Sequence, residues 1–370
     1  PKGDVAPRAS IPTREEYEEA AATHTRPLAQ RVGPAVMVGR ETIRGGVLRA
    51  IVVNSKVSNV ATGERGLANV HRMATAAAKA LGTSPDRVLV SSTGVIGVPL
   101  PIEKIERGLD GIAAELVDDP RVGAEGIMTT DSHPKALSIG VGDATITWVA
   151  KGSGMIEPNM ATMLSYIMTD AAITAPELDR LLREVVDVSF NMLSVDTDTS
   201  TSDTCVILAN GMAGPIDRDE FRKALMTGSL RMTEMLARDG EGATKLLRAT
   251  VRGVASAAEA GQIAKSNVYS PLVKTMVHGA DPNVGRLLMA IGKCFECTIR
   301  VDATEAWING QNVVHRGQRT TFDEAVVRTA LATDTTDILV VLGVGDGEAT
   351  AFGCDLSTGY ISENAAYYSS

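Results

Sequence analysis

Aromatic residues, histidine and cysteine are all scarce in this chain. Phe, Trp and Tyr make up 4% of the 370 residues, with five histidines and four cysteines. Hydrophobic residues still reach 44%, so a core has to be built from aliphatic side chains, Ala and Met. The aromatic shortage removes the stacking platforms that single-stranded nucleic acid requires. The net charge of −9 works against phosphate binding, and no five-residue Lys/Arg run offsets it. No nucleic-acid partner is expected. No apolar stretch approaches the ~18 residues of a membrane-spanning helix, so no membrane partner is expected either. Pro1–Arg14 is polar and carries no apolar signal segment. The chain is expected in the cytoplasm, or in the mitochondrial matrix if a presequence preceded Pro1.

The few histidines and cysteines exclude several chemistries. His24, His71, His133, His278 and His315 stand singly, and none has a second histidine four positions away, which rules out a zincin helix. Cys294 and Cys297 form a lone C-x-x-C that no second Cys or His pair completes into a four-ligand zinc site. No metal is expected. A redox dithiol and a pair of small buried thiols both remain open for it, with Cys205 and Cys354 standing alone. There is no G-x-S-x-G elbow and no Walker loop. Gly343-Val344-Gly345-Asp346-Gly347 lacks the third glycine of a dinucleotide fingerprint and leads into strand-like residues.

Glycine, by contrast, is abundant at 35 residues, and helix-like and strand-like segments follow one another along the chain. The pattern predicts helices over 68–81 (stopped by Gly82), 101–116, 176–190, 218–237 and 283–291. It predicts strands over 87–91, 144–150, 203–209, 246–251, 299–301, 312–315, 338–342 and 350–353. In the strand over 144–150, Ile146, Trp148 and Ala150 share one face. Asp346-Gly347 between two apolar runs predicts a hairpin. The reading is a mixed α/β chain without the regular βαβ spacing of a doubly wound sheet. No fixed-period repeat or linker appears.

Two segments are dense in hydroxyls. Thr197 to Thr204 is an unbroken run of hydroxyl and carboxylate side chains, which a solvated turn or helix cap explains equally well. Thr129-Thr130-Asp131 is similar. A third segment, Lys151-Gly152-Ser153-Gly154 followed by Pro158, leads into an apolar run that carries Thr162 near its start. A buried strand entered from a loop accounts for it, and the residues alone do not single out Thr162 among the other hydroxyls.

The run from Lys151 to Leu164, with Ala161-Thr162 inside it, resembles the self-processing site of the ornithine acetyltransferase (ArgJ) family of arginine biosynthesis. Ser92-Thr93-Gly94-Val95-Ile96-Gly97 resembles that family's oxyanion loop. Ile127 to Asp131, Asp198 to Thr204, Asp239-Gly240-Glu241-Gly242, Ser270 to Thr275, Asp281 to Arg286 and Glu363 to Tyr367 fit the family in the same order. Together these motifs span roughly residues 47–370.

The resemblance implies a mixed α+β layered sandwich, cut by the chain itself between Ala161 and Thr162. The products would be an α-chain of 1–161 and a β-chain of 162–370, with a smaller C-terminal α/β lobe around 280–350, paired into an α2β2 heterotetramer. It implies an acyltransferase in which Thr162 is an N-terminal nucleophile that carries acetyl from N2-acetylornithine to glutamate. Its own new α-amine would serve as base, which explains why no histidine accompanies it. The oxyanion donors carry over to the Thr93 hydroxyl and the Gly94 N–H. Substrate contacts carry over to Thr129, Lys151, Thr162, Glu241, Asn364 and Ser369. The plain alternatives are a surface lysine at Lys151 and a helix-end carboxylate at Glu241. No cofactor is implied, and acetyl-CoA stays open as a second acetyl donor.

The sequence departs from the family pattern over its first 40 or so residues. It also departs at Ser202, at Val284, where the family has Trp, and in its second tail tyrosine, Tyr368. These changes put the exact donor and acceptor in question. Two rivals stand beside the transferase. One is a threonine amidohydrolase or aminopeptidase of the same architecture, in which water clears the acyl-enzyme. The other is an uncut homologue that only binds or assembles.

Overall fold

The structure, a computed structural model, describes residues 6–9, 33–157 and 163–366. Ala161, Thr162 and Ser369 lie outside these. In chain order the first half contains β1 (Ala6–Ala9), α1 (Pro34–Arg44), β2 (Ala50–Asn54), α2 (Gly63–Leu81), β3 (Val88–Ser92), α3 (Ile102–Leu109) and α4 (Pro120–Gly126). Then come β4 (Lys135–Val141), β5 (Ala144–Lys151), β6 (Leu164–Ala171), α5 (Ala175–Val188), β7 (Leu193–Ser194), β8 (Thr204–Gly214) and α6 (Arg218–Arg238). The remainder runs β9 (Leu246–Val254), α7 (Ala257–Tyr269), α8 (Pro271–His278), α9 (Val284–Gly292), β10 (Glu305–Ile308) and β11 (Gln311–His315). It closes with β12 (Gln318–Arg319), α10 (Glu324–Leu331), β13 (Thr335–Val341), β14 (Gly347–Cys354) and α11 (Thr358–Ala366). This is the mixed α/β class expected from the sequence.

The chain divides into two compact units. The first comprises Pro1–Gly152, Asn159–Val186 and Thr199–Met232. It contains a five-stranded sheet in the order β1-β8-β6-β5-β4 and a separate parallel pair, β2-β3. Within the larger sheet only β6 and β8 run parallel. The predicted inward face of β5 holds: Ile146 and Trp148 are fully buried and Ala150 nearly so. The Trp148 indole lies so close to α6 that a Cβ at Gly228 would fall 2.2 Å from it. A helix-interior glycine, normally unfavourable, is therefore required here. The indole N–H donates to Ser229 Oγ at 3.1 Å.

Around β2-β3, the apolar stripe of α2 (Val70, Met73, Ala74 and Ala77) closes over Val88 and Val90. Gly82 takes φ 65° after α2, the left-handed cap that ends the helix where expected. The predicted helix over 101–116 is shorter. It ends at Leu109, Gly111 turns the chain at φ 80°, and only one 3-10 turn follows at Ile112–Ala114. Leu116 and Val117 are exposed, so no apolar face exists to extend the helix.

The second unit comprises Ser153–Pro158, Asp187–Asp198 and Thr233–Ser370. Its seven-stranded sheet has the order β12-β11-β10-β13-β9-β14-β7. Asp346-Gly347 does not make the predicted hairpin. β13 and β14 lie on opposite sides of β9, β13 parallel to it and β14 antiparallel. The glycines serve close approach instead: a Cβ at Gly347 would fall 2.4 Å from the Ser256 carbonyl, where β9 passes into α7. The predicted strand over 299–301 is also absent. The chain there enters a 3-10 turn, Val301–Ala303, and Val301 is exposed, so no buried face draws it into the sheet.

Candidate active site

The loop carrying Thr93 and Gly94 leaves the C-terminal end of β3, which runs parallel to β2 from Ala50↔Val88 to Asn54↔Ser92. Asn54 organises the exit. Its Oδ1 accepts from Ser92 Oγ at 2.6 Å, its carbonyl accepts the Thr93 N–H at 3.1 Å, and its Nδ2 donates to the Val57 carbonyl at 2.8 Å. The Val95 N–H donates to the Lys56 carbonyl at 3.0 Å. Between these two committed amides, the Gly94 N–H has no acceptor among the described residues. Gly94 sits at φ 123°, and a Cβ on it would lie 2.2 Å from the Lys56 carbonyl carbon. Only glycine fits this turn. A buried hydroxyl at Thr93 beside an uncommitted N–H makes a two-donor site for a developing oxyanion.

Lys151 ends β5 and is buried, not a surface lysine. Its Nζ lies 3.2 Å from Thr129 Oγ1, so the structure brings these two residues together. Asp131 holds the surroundings in place. It accepts the Lys135 ammonium and the Gly152 N–H on Oδ1, both at 2.7 Å, and the Thr129 N–H on Oδ2 at 3.1 Å. Burial works to raise the Asp131 pKa. The charges of Lys135 and Lys151 and the hydrogen bonds outweigh it and hold the carboxyl below its ordinary value.

The β5–β6 ladder places Lys151 opposite Leu164, two positions after Thr162. Entry into β6 is fixed from β8: Asp203 Oδ1 accepts the Met163 N–H at 2.9 Å, and the Thr204 N–H donates to the Met163 carbonyl at 3.1 Å. Ser200, Ser202, Asp203 and Thr204 are buried, so this part of the hydroxyl-rich segment is not a solvated turn; Thr197 to Thr199 are exposed. Nothing in the sequence marks Asp203 as buried beyond its place in that run.

In the second unit Glu241 follows α6 by three residues, yet it is more than a helix-end carboxylate. It is buried, and Asn364 Nδ2 of α11 donates to its Oε2 at 2.7 Å. Its seat depends on a neighbouring glycine, since a Cβ at Gly154 would fall 2.1 Å from the Glu241 carboxyl carbon. The Glu241 N–H donates to the Ser153 carbonyl at 3.0 Å. Asp196, which sequence reading did not single out, accepts the Met155 and Ile156 N–H groups at 2.6 and 2.8 Å. Burial, then the charges of Asp196, Glu241 and Asp198, push the Tyr360 phenol up to about 12.

The other sequence candidates recede. The four cysteines are free, and burial raises the C-x-x-C thiols, Cys297 up to about 11, which opposes a reactive thiolate. His278 and His315 pair with Asp355 and Glu305. No group of metal-ligating side chains occurs among the described residues, and no helix among them is long and apolar enough to cross a membrane. His24 lies outside the described residues.

The ArgJ family profile matches residues 9–369. The arginine biosynthesis bifunctional protein ArgJ of Rhodococcoides fascians is 45% identical over 337 residues, covering 90% of this chain and 84% of that one. Glutamate N-acetyltransferase Oat2 of Streptomyces clavuligerus is 44% identical over 344 residues, covering 90% and 87%. A crystal structure of arginine biosynthesis bifunctional protein ArgJ from Bacillus halodurans superposes with a TM-score of 0.54 at 38% identity, covering 56% of this chain and 100% of that chain. With a family match running nearly end to end, and relatives at this identity over most of both lengths, the chain belongs to the ArgJ family.

Proposed function

We propose that the chain cuts itself between Ala161 and Thr162 and then uses Thr162 to move acetyl from N2-acetylornithine to glutamate, a step of arginine biosynthesis. The observation that carries this reading is the buried Lys151 ammonium on Thr129, at the end of the strand whose partner begins just after Thr162. A cation kept inside the protein at that point suits the α-carboxylate that donor and acceptor share.

The Thr162 hydroxyl attacks the acetyl carbonyl while its proton passes to the Thr162 α-amine. Such an amine ordinarily titrates near ~7.7–8.0, so a useful fraction is neutral at cellular pH. The Thr93 hydroxyl and the Gly94 N–H receive the oxyanion. Collapse breaks the C–N bond, the leaving ornithine amine takes the proton, and an acetyl ester remains on Thr162. The glutamate amine attacks the ester, and the reverse proton path frees N-acetylglutamate. Glu241 carries over from the family resemblance as the partner of the ornithine side-chain ammonium, with Asn364 and Ser369 as further substrate contacts. The cycle needs no cofactor. Acetyl-CoA is a candidate second acetyl donor for glutamate.

The cut also fits the length of the solved relative. Its whole chain matches 56% of this one, and residues 162–370 are 209 of the 370. On this reading the two products stay together as α2β2 in the cytoplasm. A denaturing gel of purified protein tests the cut: two bands are expected, and one full-length band sinks it. Assays with acetylornithine plus glutamate, and with acetyl-CoA plus glutamate, test the transfer. Acetate release without glutamate consumption would favour the hydrolase instead.

A further inference from the structure

Between β2 and α2 the chain enters the left-handed region at three residues other than glycine: Lys56 at φ 76°, Asn59 at φ 56° and Ala61 at φ 60°. Each is an unfavourable conformation, kept only where the surroundings over-determine it. Here the surroundings are the loop from Thr93 to Gly97. The carbonyls of Asn54, Lys56 and Val60 accept the N–H groups of Thr93, Val95 and Gly97 at 3.1, 3.0 and 3.0 Å. In return the Val95 carbonyl accepts both the N–H and the Oγ of Ser58, at 3.1 and 2.9 Å. The segment is also fastened to α2. Asn59 is fully buried, donates from Nδ2 to the Gly66 carbonyl at 2.9 Å and accepts the Thr62 hydroxyl on Oδ1 at 3.2 Å.

The Asn54 carboxamide grips both strips of chain. Its Oδ1 accepts from Ser92, where the loop begins, and its Nδ2 donates to Val57, inside the strained segment. The two bonds need an acceptor on one side and a donor on the other, which a carboxamide supplies and a carboxylate does not. We infer that Asn54 is a positioning residue for acetyl transfer: it locks the Thr93 loop onto a braced, strained segment, so that the Thr93 hydroxyl and the Gly94 N–H stand ready before charge develops. This rests on the proposed reading of those two groups as oxyanion donors. Preplaced donors act on the transition state and not on the bound substrate, so Asn54 governs kcat and leaves KM alone.

The test is Asn54→Asp in the full chain, alone and combined with Thr93→Val, on protein first shown by gel to be cut. Asn54→Asp is expected to lower kcat about 10- to 100-fold, with KM for acetylornithine nearly unchanged. In the Thr93→Val background the same change is expected to cost several-fold less, because the two residues act as a unit. A purely structural role gives no such coupling. An equal loss in both backgrounds overturns the inference, as does an Asn54→Asp protein with wild-type kcat. So does a folded Asn54→Asp protein that stays uncut while Thr93→Val is cut. Should Asn54→Asp fail to fold, Ser92→Ala, which removes only one partner of the carboxamide, goes through the same cycle with the same outcomes. Failure of the underlying reading shows separately, as a Thr93→Val protein with wild-type kcat.

Discussion

The Lys151 ammonium lies 3.2 Å from the Thr129 hydroxyl, at the end of a strand that pairs with the one starting just past Thr162. Two motifs, Ile127 to Asp131 and the run that begins at Lys151, thus meet at one end of the first unit's sheet. Replacing Lys151 with Met keeps most of the buried volume and removes the charge. A hydrogen bond to a charged group is worth about 1.5–3 kcal/mol, so KM for both acetylornithine and glutamate should rise roughly 10- to 150-fold. The value of kcat should change less. Steady-state kinetics with each substrate varied in turn checks this.

Thr93 and Gly94 separate a chemical role from a steric one. Thr93→Val removes one oxyanion donor without adding bulk, and kcat should fall about 10²- to 10³-fold at an unchanged melting temperature. Gly94→Ala drives a methyl into the Lys56 carbonyl and must distort the turn, so its loss of kcat should come with a lower melting temperature. Calorimetry alongside kinetics distinguishes the two.

Asp131 links pH to stability. Its folded pKa is depressed, so its contribution is fully present above the unfolded value near ~4 and is lost as pH falls through the lower folded value. Asp131→Asn leaves the buried Lys135 ammonium without its carboxylate, a change that costs about 3–5 kcal/mol. Urea unfolding should show that deficit at pH 7 and a smaller one at acid pH, where protonation removes the wild-type carboxylate's contribution. An equal deficit at both would refute the linkage.

Gly228→Ala is expected to destabilise although Ala is the better helix former. Its methyl meets the Trp148 ring inside a packed core, an overpacking that costs about 1–3 kcal/mol. Denaturant midpoints measure it, and a stabilised variant would contradict the contact.

Much of the fold was legible because burial leaves a period. Ile146, Trp148 and Ala150 alternate on β5, and Gly82 stops α2 where a left-handed residue is needed. The misreadings came from context that a short window does not hold. Asp346-Gly347 carries hairpin chemistry, but β9 arrives between the two strands from a hundred residues earlier. Lys135–Val141 did not read as a strand, since it opens on a lysine, which is held inside on the Asp131 carboxylate. The site was legible mainly through family resemblance. The motifs name Thr93, Gly94, Thr129, Lys151, Glu241 and Asn364 as candidates. They give no hint that Gly154 makes room for Glu241, or that Asp196 and Asp203 receive backbone amides on either side of the cleavage segment.

The burial of Trp148 has a practical consequence. The chain has two tryptophans, Trp148 on β5 in the first unit and Trp307 on β10 in the second. Trp148 is fully enclosed and hydrogen-bonded to Ser229, whereas Trp307 is half-buried. Each unit therefore carries its own intrinsic fluorophore, the first expected to emit further to the blue. Single Trp→Phe replacements would give optical reporters of one unit at a time, able to show whether cutting the chain loosens one unit before the other.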